Sequence, residues 1–445
     1  MKKNSRFIMA AIMLFFLMLA ACRINPVEAA GYSVKLDPGK YKGRILQIWR
    51  QTWPETDAKA NAANRKGMTE AEAIAAFEKA TGAKIKIQVI PETEYYKKVV
   101  AAITAGSGPD IAWFNIGVRP AWMVKKLLRP LSDYIDFKDP EFQKASDYSR
   151  VTADHYSYKN KIYGINGLEL SDRLYYNKEI LEVNGQEDPY KLFKEGKWTW
   201  ERFFEMAKAL TLDTDGNGKI DQWGYQAWLS DQWFTSNGVR FVKFVNGKPV
   251  CNLEDEKVYH TLQTMYDIVF KIKFMPRVWW EPSPQVQFYK GKVAFVYWGY
   301  WEMAEMKRQM GRKLGIVPFP IGPGLQGKKK MADLAEVNGM GITACSKNPA
   351  LAALFIKWLR VPDEAGVKAY DQQMLDLYGS QAMVDLVHEM SRNSVIPDFQ
   401  GYGRYGEIFN NIRWIENQTP AQAVQSIKKM AQAAIDEVWG EEHGK

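Results

Sequence analysis

The sequence predicts an α/β fold in more than one domain, on three observations. A chain of 445 residues is longer than one hydrophobic core supports. From Ile45 onward, short apolar runs alternate with segments of helical period, the pattern of βαβ units and a largely parallel sheet. The 46% apolar and 25% charged residues describe a soluble globular body.

The chain begins with an address. Lys2, Lys3 and Arg6 precede the apolar run Ile8 to Leu19, too short for a permanent membrane span and suited to a secretory signal. The run ends in Leu19-Ala20-Ala21-Cys22, which matches the bacterial lipobox, where the cysteine thiol is acylated and cleavage makes Cys22 the new N-terminus. Two acyl chains anchor stably where one is marginal. The rival reading, an ordinary signal cut after Val27-Glu28-Ala29, discards Cys22. Residues 1–21 are therefore expected to be signal peptide, and residues 22–42, polar with two prolines and two glycines, a lipidated tether. No later segment is long and apolar enough to span a bilayer. The expectation is a protein lipid-anchored to the extracytoplasmic face of a bacterial, Gram-positive cell membrane.

Ile45 to Trp49 reads as a buried first strand leading toward Trp53. Thr69-x-x-Glu72 is a capping box opening a helix through Ile74 and Phe77, stopped at Gly82. Ile85, Ile87 and Val89 alternate as a strand, a helix follows over 92–105, and Gly106 to Asp110 turns into the strand of Phe114 and Asn115. Ligands sit beyond the carboxyl ends of parallel strands, which singles out Trp53, Phe114 and Asn115. The hairpin around Tyr158 to Tyr163 and the run Leu174 to Tyr176 flank an irregular stretch carrying Asn166, Glu169, Asp172 and Arg173. That stretch reads as a crossing between lobes, where concave sites form. Thr199 caps a helix whose Trp200, Phe203, Phe204, Ala207 and Leu210 make a core stripe. Gly291 to Trp301 is a strand ending in aromatics and Gly339 to Ala344 another, while Asn348-Pro349 and Thr419-Pro420-x-Gln422 open further helices.

Lys and Arg number 60 against 51 Asp and Glu, with no run of five like charges, so the concentrated basic stripe of a nucleic-acid binder is missing. Sixteen Trp, 22 Tyr and 21 Phe make the chain aromatic-rich; many of these rings must be core, but the Trp excess is more than a core needs, and flat amphipathic rings stack on sugar faces. Three cysteines make no disulfide framework; Cys251 and Cys345 each lie in an apolar run and read as buried free thiols. The loop from Asp213 has EF-hand spacing, with Asp213, Asp215, Asn217 and Asp221 at positions 1, 3, 5 and 9, the Lys219 carbonyl at 7 and Gly218 at the turn. Position 12 is Gly224 instead of a glutamate. A structural calcium ion is expected there; the rival is a metal-free turn.

The lipobox, Gly108-Pro109-Asp110 before an aromatic strand, Leu128-x-Pro130-Leu131, and Asn160-Lys161-x-Tyr163-Gly164-Ile165 form the first part of an ordered set. Leu174-Tyr175-Tyr176-Asn177-Lys178, Trp198-Thr199-Trp200-Glu201, Gly291-Lys292-Val293-Ala294, Pro318-x-Pro320 and Thr419-Pro420 complete it. Taken together, the set resembles the extracellular solute-binding proteins of ABC importers, in the carbohydrate-binding cluster that includes the maltodextrin binders. Asn166 stands where many members have Pro, and Leu127 where Gly is common; neither change removes a ligand-contacting group.

The resemblance implies a two-lobed periplasmic-binding-protein-like fold with a multi-segment hinge and discontinuous lobes: residues 43–167 with 339–397, and 168–338 with 398–445. It implies a monomer, with no catalysis, that captures an oligosaccharide and hands it to an ABC permease. Gly299-Tyr300-Trp301 matches the family's Gly-x-Trp, whose Trp stacks on sugar, so Trp301 leads the candidates. Phe114 matches an aromatic lining the cleft, Glu169 an acid that bonds hydroxyls, and Glu336 and Asn338 sit at the next expected crossing. A sugar's apolar face and ring of hydroxyls ask independently for aromatic plates with carboxylate and amide groups. Trp53, Asn115, Glu169, Trp233 and Trp298 read equally as site or core, and Arg173 with Asp172 as hinge salt bridge or ligand contact.

Two other functions compete. A membrane-anchored glycosidase would also want carboxylates and Trp, and sequence does not fix a carboxylate separation. No Gly-x-Ser-x-Gly or His-Glu-x-x-His motif accompanies them. An iron binder would use Tyr95, Tyr96, Tyr175 and Tyr176, two of which share a strand. The basic balance, with Arg50, Arg119, Arg173 and Arg404, also admits an acidic oligosaccharide.

Overall fold

The computed structural model describes residues 34–51, 68–115, 117–140, 142, 156–165, 171–227, 231–277, 281–335, 338–396, 398 and 419–443. In chain order its strands are β1 (Ile45–Gln51), β2 (Lys84–Ile90), β3 (Ile111–Asn115), β4 (Leu128–Arg129), β5 (Ser157–Tyr158), β6 (Lys161–Ile162) and β7 (Arg173–Asn177). Then come β8 (Trp223–Ala227), β9 (Val242–Val245), β10 (Lys248–Cys251), β11 (Val293–Trp298), β12 (Leu314–Val317) and β13 (Asn338–Thr343).

The predicted capping box is present: the Thr69 amide donates to Glu72 Oε2 at 2.7 Å and opens the helix Glu70–Thr81, which ends at Gly82 with φ 74°. Phe77 packs edge-on against Phe355 at 5.1 Å, and the Trp358 indole donates to the Ala73 carbonyl at 3.1 Å, clamping the helix Pro349–Arg360 alongside. Both helices cover one face of a sheet ordered β2-β1-β3-β13-β4. The helix Glu92–Thr104 covers the other face. From it, the Tyr95 hydroxyl ties β1 to β3, donating to the Trp49 carbonyl and accepting from the Trp113 amide, each at 2.8 Å.

This sheet is mixed, where a largely parallel one was expected. β1 runs parallel to β2 and β3, but β13 runs antiparallel to β3 and β4. β3 ends at Asn115, and β13 begins opposite it at Asn338. A strand that arrives from the other lobe must run against strands that end at the crossing.

The second lobe has a sheet ordered β12-β7-β11-β8, again mixed. Its core is aromatic. Phe203, on the helix Trp200–Ala209, meets Trp198, Phe204, Tyr225, Trp233, Phe274, Phe295 and Phe319 at centroid separations of 5.2 to 6.4 Å. Each such pair adds about 0.5–1.5 kcal/mol beyond its buried area. Much of the aromatic surplus is therefore core.

The lobes are joined at several crossings. Ile165 bridges Met340 on one side of the first crossing, and Ser171 bridges Ala335 on the other. Residues 339–397 do not all belong to the first lobe as expected. The helices Glu364–Tyr378 and Gln381–Asn393 turn Met374, Tyr378, Val384 and Val387 into a core with Phe288 and Trp298 of the second lobe. Val395 then returns to the hinge, accepting from the Ala335 amide at 3.0 Å and donating to the Asp333 carbonyl at 2.7 Å.

Beside this crossing lies a buried charged group. Arg173, fully buried, donates to the Tyr378 hydroxyl and, at 3.2 Å, to the Ser171 carbonyl, with its guanidinium 5.5 Å over the Tyr378 ring. Asp333, equally buried, accepts from the Phe319 amide at 2.7 Å. Burial pushes its carboxyl up to about 8, against the pull of that amide and of Arg173.

Residues 36–42, expected to lie in the tether, are packed on the first lobe. The Gly39 amide donates to Ala80 at 3.3 Å and the Tyr41 amide to Thr81 at 3.0 Å, while Leu36 and Tyr41 pack on the first core. The final helix, Pro420–His443, buries Val424, Ile427, Ala431 and Val438 in the second lobe. Its Trp439 meets Tyr158 of β5 at 5.7 Å and Phe244 of β9 at 5.9 Å. Among the described residues no helix is long and apolar enough to cross a membrane. Cys251 and Cys345 are half-buried, where buried thiols were expected.

Candidate functional site

One edge of the first sheet gathers the ends of β1 and β3 with the start of β13. Asn115 and Asn338 pair across the ladder there, both half-buried. Asn115 turns its Oδ1 back to accept from the Gly117 amide at 3.0 Å. Arg50 reaches Glu70 at 3.0 Å, and Gln51 donates to the Tyr96 hydroxyl. Arg360, where its helix ends, lies 4.7 Å over the half-buried Trp113 ring, with Nε 3.3 Å from the Met340 sulfur. Tyr156 packs across Gly339, where a Cβ would come within 2.7 Å of the tyrosine oxygen, so only glycine fits.

The second lobe contributes Tyr300 and Trp301, just past β11. Tyr300 lies within electrostatic reach of both Tyr156 and Arg360, across from the first sheet. The Trp301 ring folds back over Gly299, where a Cβ would sit 2.2 Å from a ring carbon. Trp301 is 41% exposed, whereas Trp298 is 7% exposed and packs with Met303. Burial pushes the Tyr156 hydroxyl well above its ordinary value, while Arg119 and Arg360 pull it down. Burial also lowers the pKa of Arg360; Arg50 adds to that effect and Glu70 opposes it. This edge thus offers two amides, a tyrosine and guanidiniums, and the second lobe an exposed indole beside Tyr300.

Of the residues expected to bind ligand, Asn115 and Asn338 are on this edge, and Trp301 is on the second lobe against Tyr300. Phe114 is corrected to core: it is 1% exposed, its ring held by Trp122 and Tyr156 at 6.3 and 5.1 Å. Trp233 is likewise core, 1% exposed and 4.8 Å from Phe319, and so is Trp298. Arg173 is a hinge group. Trp53, Glu169, Glu336 and Cys22 lie outside the described residues. Tyr156, Tyr300 and Arg360 were missed. Tyr300 could have been found as the middle residue of Gly-x-Trp; the other two carry no sequence signal.

A model of the bacterial extracellular solute-binding protein family matches residues 72–375, more than half of the chain. The chain belongs to this family. Its two-lobed fold is similar to that of an ABC substrate-binding protein of Listeria monocytogenes in complex with cycloalternan, at 19% identity over 89% of this chain and 99% of that one, TM-score 0.63. The maltose/maltodextrin-binding domain of Bdellovibrio bacteriovorus, bound to maltotriose, matches at 19% identity over 88% and 99%, TM-score 0.60. An extracellular solute-binding protein of Staphylococcus aureus in complex with maltose matches at 17% identity over 90% and 99%, TM-score 0.60.

Two other sets of residues are now placed in this solute-binding protein. Tyr95, Tyr175 and Tyr176, weighed as iron ligands, are core, with hydroxyls on the Trp49 carbonyl, the Gly299 carbonyl and Asp188. The loop at Asp213 closes on itself. Asp213 accepts from the Gly216, Asn217 and Gly218 amides at 2.8, 3.1 and 2.7 Å, which hold its carboxyl below the usual carboxylate range. Asp221 accepts from Thr214 and from Lys292 at 2.9 Å. The donors suit a hard cation in kind. In this arrangement, among the described residues, no three acidic, His or Cys groups converge as a metal cluster.

Proposed function

We propose that this solute-binding protein is the lipid-anchored receptor of an ABC importer, capturing an oligosaccharide between its lobes and delivering it unaltered to the permease. Trp301 carries the reading: an exposed indole just past a strand's end, beside a tyrosine within electrostatic reach of the opposite lobe, is what a sugar's apolar face requires. The ligands named for the similar structures, cycloalternan, maltotriose and maltose, support it. A ligand touching both lobes favours the closed state, which the permease then recognises. In this reading the protein is a monomer, residues 1–21 are removed and Cys22 carries the lipid. The first lobe comprises residues 36–167 with 339–361.

The purified mature protein is expected to gain about 2.7 kcal/mol of stability at an oligosaccharide concentration a hundred times its Kd, read as a rise in Tm, with the sugar recovered intact. Turnover of the sugar would move the assignment to an anchored glycosidase. Silence across neutral and acidic oligosaccharides would remove the carbohydrate reading. In cell fractions the protein is expected with the membrane, and Cys22→Ser in the medium.

For the Asp213 loop we propose a structural calcium ion held by Asp213, Asp215, Asn217, the Lys219 carbonyl and Asp221, with Lys292 displaced from Asp221. Extracellular sites of this type bind at about 0.1–1 mM. Millimolar calcium is expected to raise Tm, a chelator to reverse the rise, and Asp213→Ala to abolish it. A wild-type Tm indifferent to calcium would leave the loop a self-closed turn.

A further inference from the structure

We propose that Tyr289 and Glu302 are positioning residues for the saccharide, their hydrogen bond fixing the angle at which Trp301 presents its ring. The inference rests on the reading above and deepens it. Trp301 is the middle residue of Tyr300–Glu302, a single 3-10 turn just past β11. The Glu302 amide closes that turn on the Gly299 carbonyl at 3.3 Å. A turn this short is marginal by itself, so side chains must hold it. The second lobe supplies them from two sides. From β7, the buried Tyr175 hydroxyl donates to the same Gly299 carbonyl at 3.2 Å. From the helix Pro284–Tyr289, the Tyr289 hydroxyl donates to Glu302 Oε1 at 2.7 Å. A hydrogen bond to a carboxylate is among the strong ones. Burial and that carboxylate both raise the Tyr289 hydroxyl above its ordinary value, so it remains a donor well past neutral pH. The next residue, Met303, is buried in the core that also holds Tyr175 and Phe288. Trp301 sits between these fastened neighbours, with its ring directly over Gly299 and 41% exposed. Its angle therefore follows the turn beneath it. A ring already at the right angle binds without losing orientational freedom, whereas a loose one binds only for the fraction of time it is correctly placed.

Calorimetric titration of the full mature protein would use maltotriose, mannotriose and cycloalternan, and follow whichever binds most tightly. Tyr289→Phe, which removes a single oxygen, is expected to weaken that binding roughly 3- to 10-fold and to hold the ligand-free Tm within a degree or two. Glu302→Ala should lose as much affinity, and Glu302→Gln, which keeps an acceptor, should recover most of the loss. In a Trp301→Ala background the Tyr289→Phe change should cost nothing further, because residues that act through one ring are not additive. Without ligand, hydrogen exchange across residues 300–303 should quicken roughly tenfold in Tyr289→Phe. Wild-type affinity in Tyr289→Phe, where Trp301→Ala has lost its own, overturns the proposal and leaves the oligosaccharide reading standing. So does a loss that persists undiminished in the Trp301→Ala background, or a lowered Tm with affinity intact. Wild-type affinity in Trp301→Ala, or binding by no probe, overturns both.

Discussion

Trp301→Ala is expected to weaken saccharide binding roughly 30- to 100-fold while leaving the Tm of the ligand-free protein within a degree or two of wild type. The ring is 41% exposed and rests over Gly299 and against Tyr300 at 5.6 Å, so the empty fold gains little from it. Covering one face of an indole with a sugar contributes about 2–3 kcal/mol, which gives the stated factor. Titration of the variant with the sugar that stabilises the wild type, alongside a melting curve without ligand, measures both halves. A variant that melts many degrees lower with its affinity intact would make Trp301 a structural residue and leave the cleft without its stacking plate.

Arg173→Met is expected to behave in the opposite sense. Its guanidinium is fully buried at the hinge, bonded to the Tyr378 hydroxyl and the Ser171 carbonyl. Removing it takes a buried donor from the Tyr378 hydroxyl and the Ser171 carbonyl, at about 1–3 kcal/mol for each group left unmet. The loss should depend on pH. Burial holds the Asp333 carboxyl up to about 8, so the folded chain keeps a proton that the unfolded chain releases near pH 4. Between those values the native state binds more protons, and stability falls as pH rises. Without Arg173 the carboxylate loses an opposing charge, its pKa climbs further, and the fall continues past pH 8. Unfolding curves at pH 5, 7 and 9 should therefore separate variant from wild type most at pH 9. Lost binding with an unchanged Tm would return Arg173 to the ligand site.

These two residues also mark what could be read from the sequence. Local signals were legible: Thr69 with Glu72, Asn348-Pro349 and Thr419-Pro420 each start a helix where their chemistry says it should. Strand direction was not. The direction of β13 depends on which lobe the chain has just left, and no local pattern encodes that. Aromatic residues divided the same way. Trp233 and Phe114 have the composition of a sugar site and the surroundings of a core, and only tertiary packing decides between these. Trp301 was legible because Gly299 precedes it, a glycine that the ring's position requires. Arg360 was not, because nothing in its own helix announces that the helix ends against Trp113.

The place of β13 in the first sheet, between β3 and β4, bears on how the molecule is made. Synthesis runs from the N-terminus, and β13 emerges only after all four strands of the other sheet. Until then the earlier half lacks the plank between β3 and β4, with β3 exposing an open rim to neighbours. No single cut in the gene yields either half whole. Each part is begun before the other is finished.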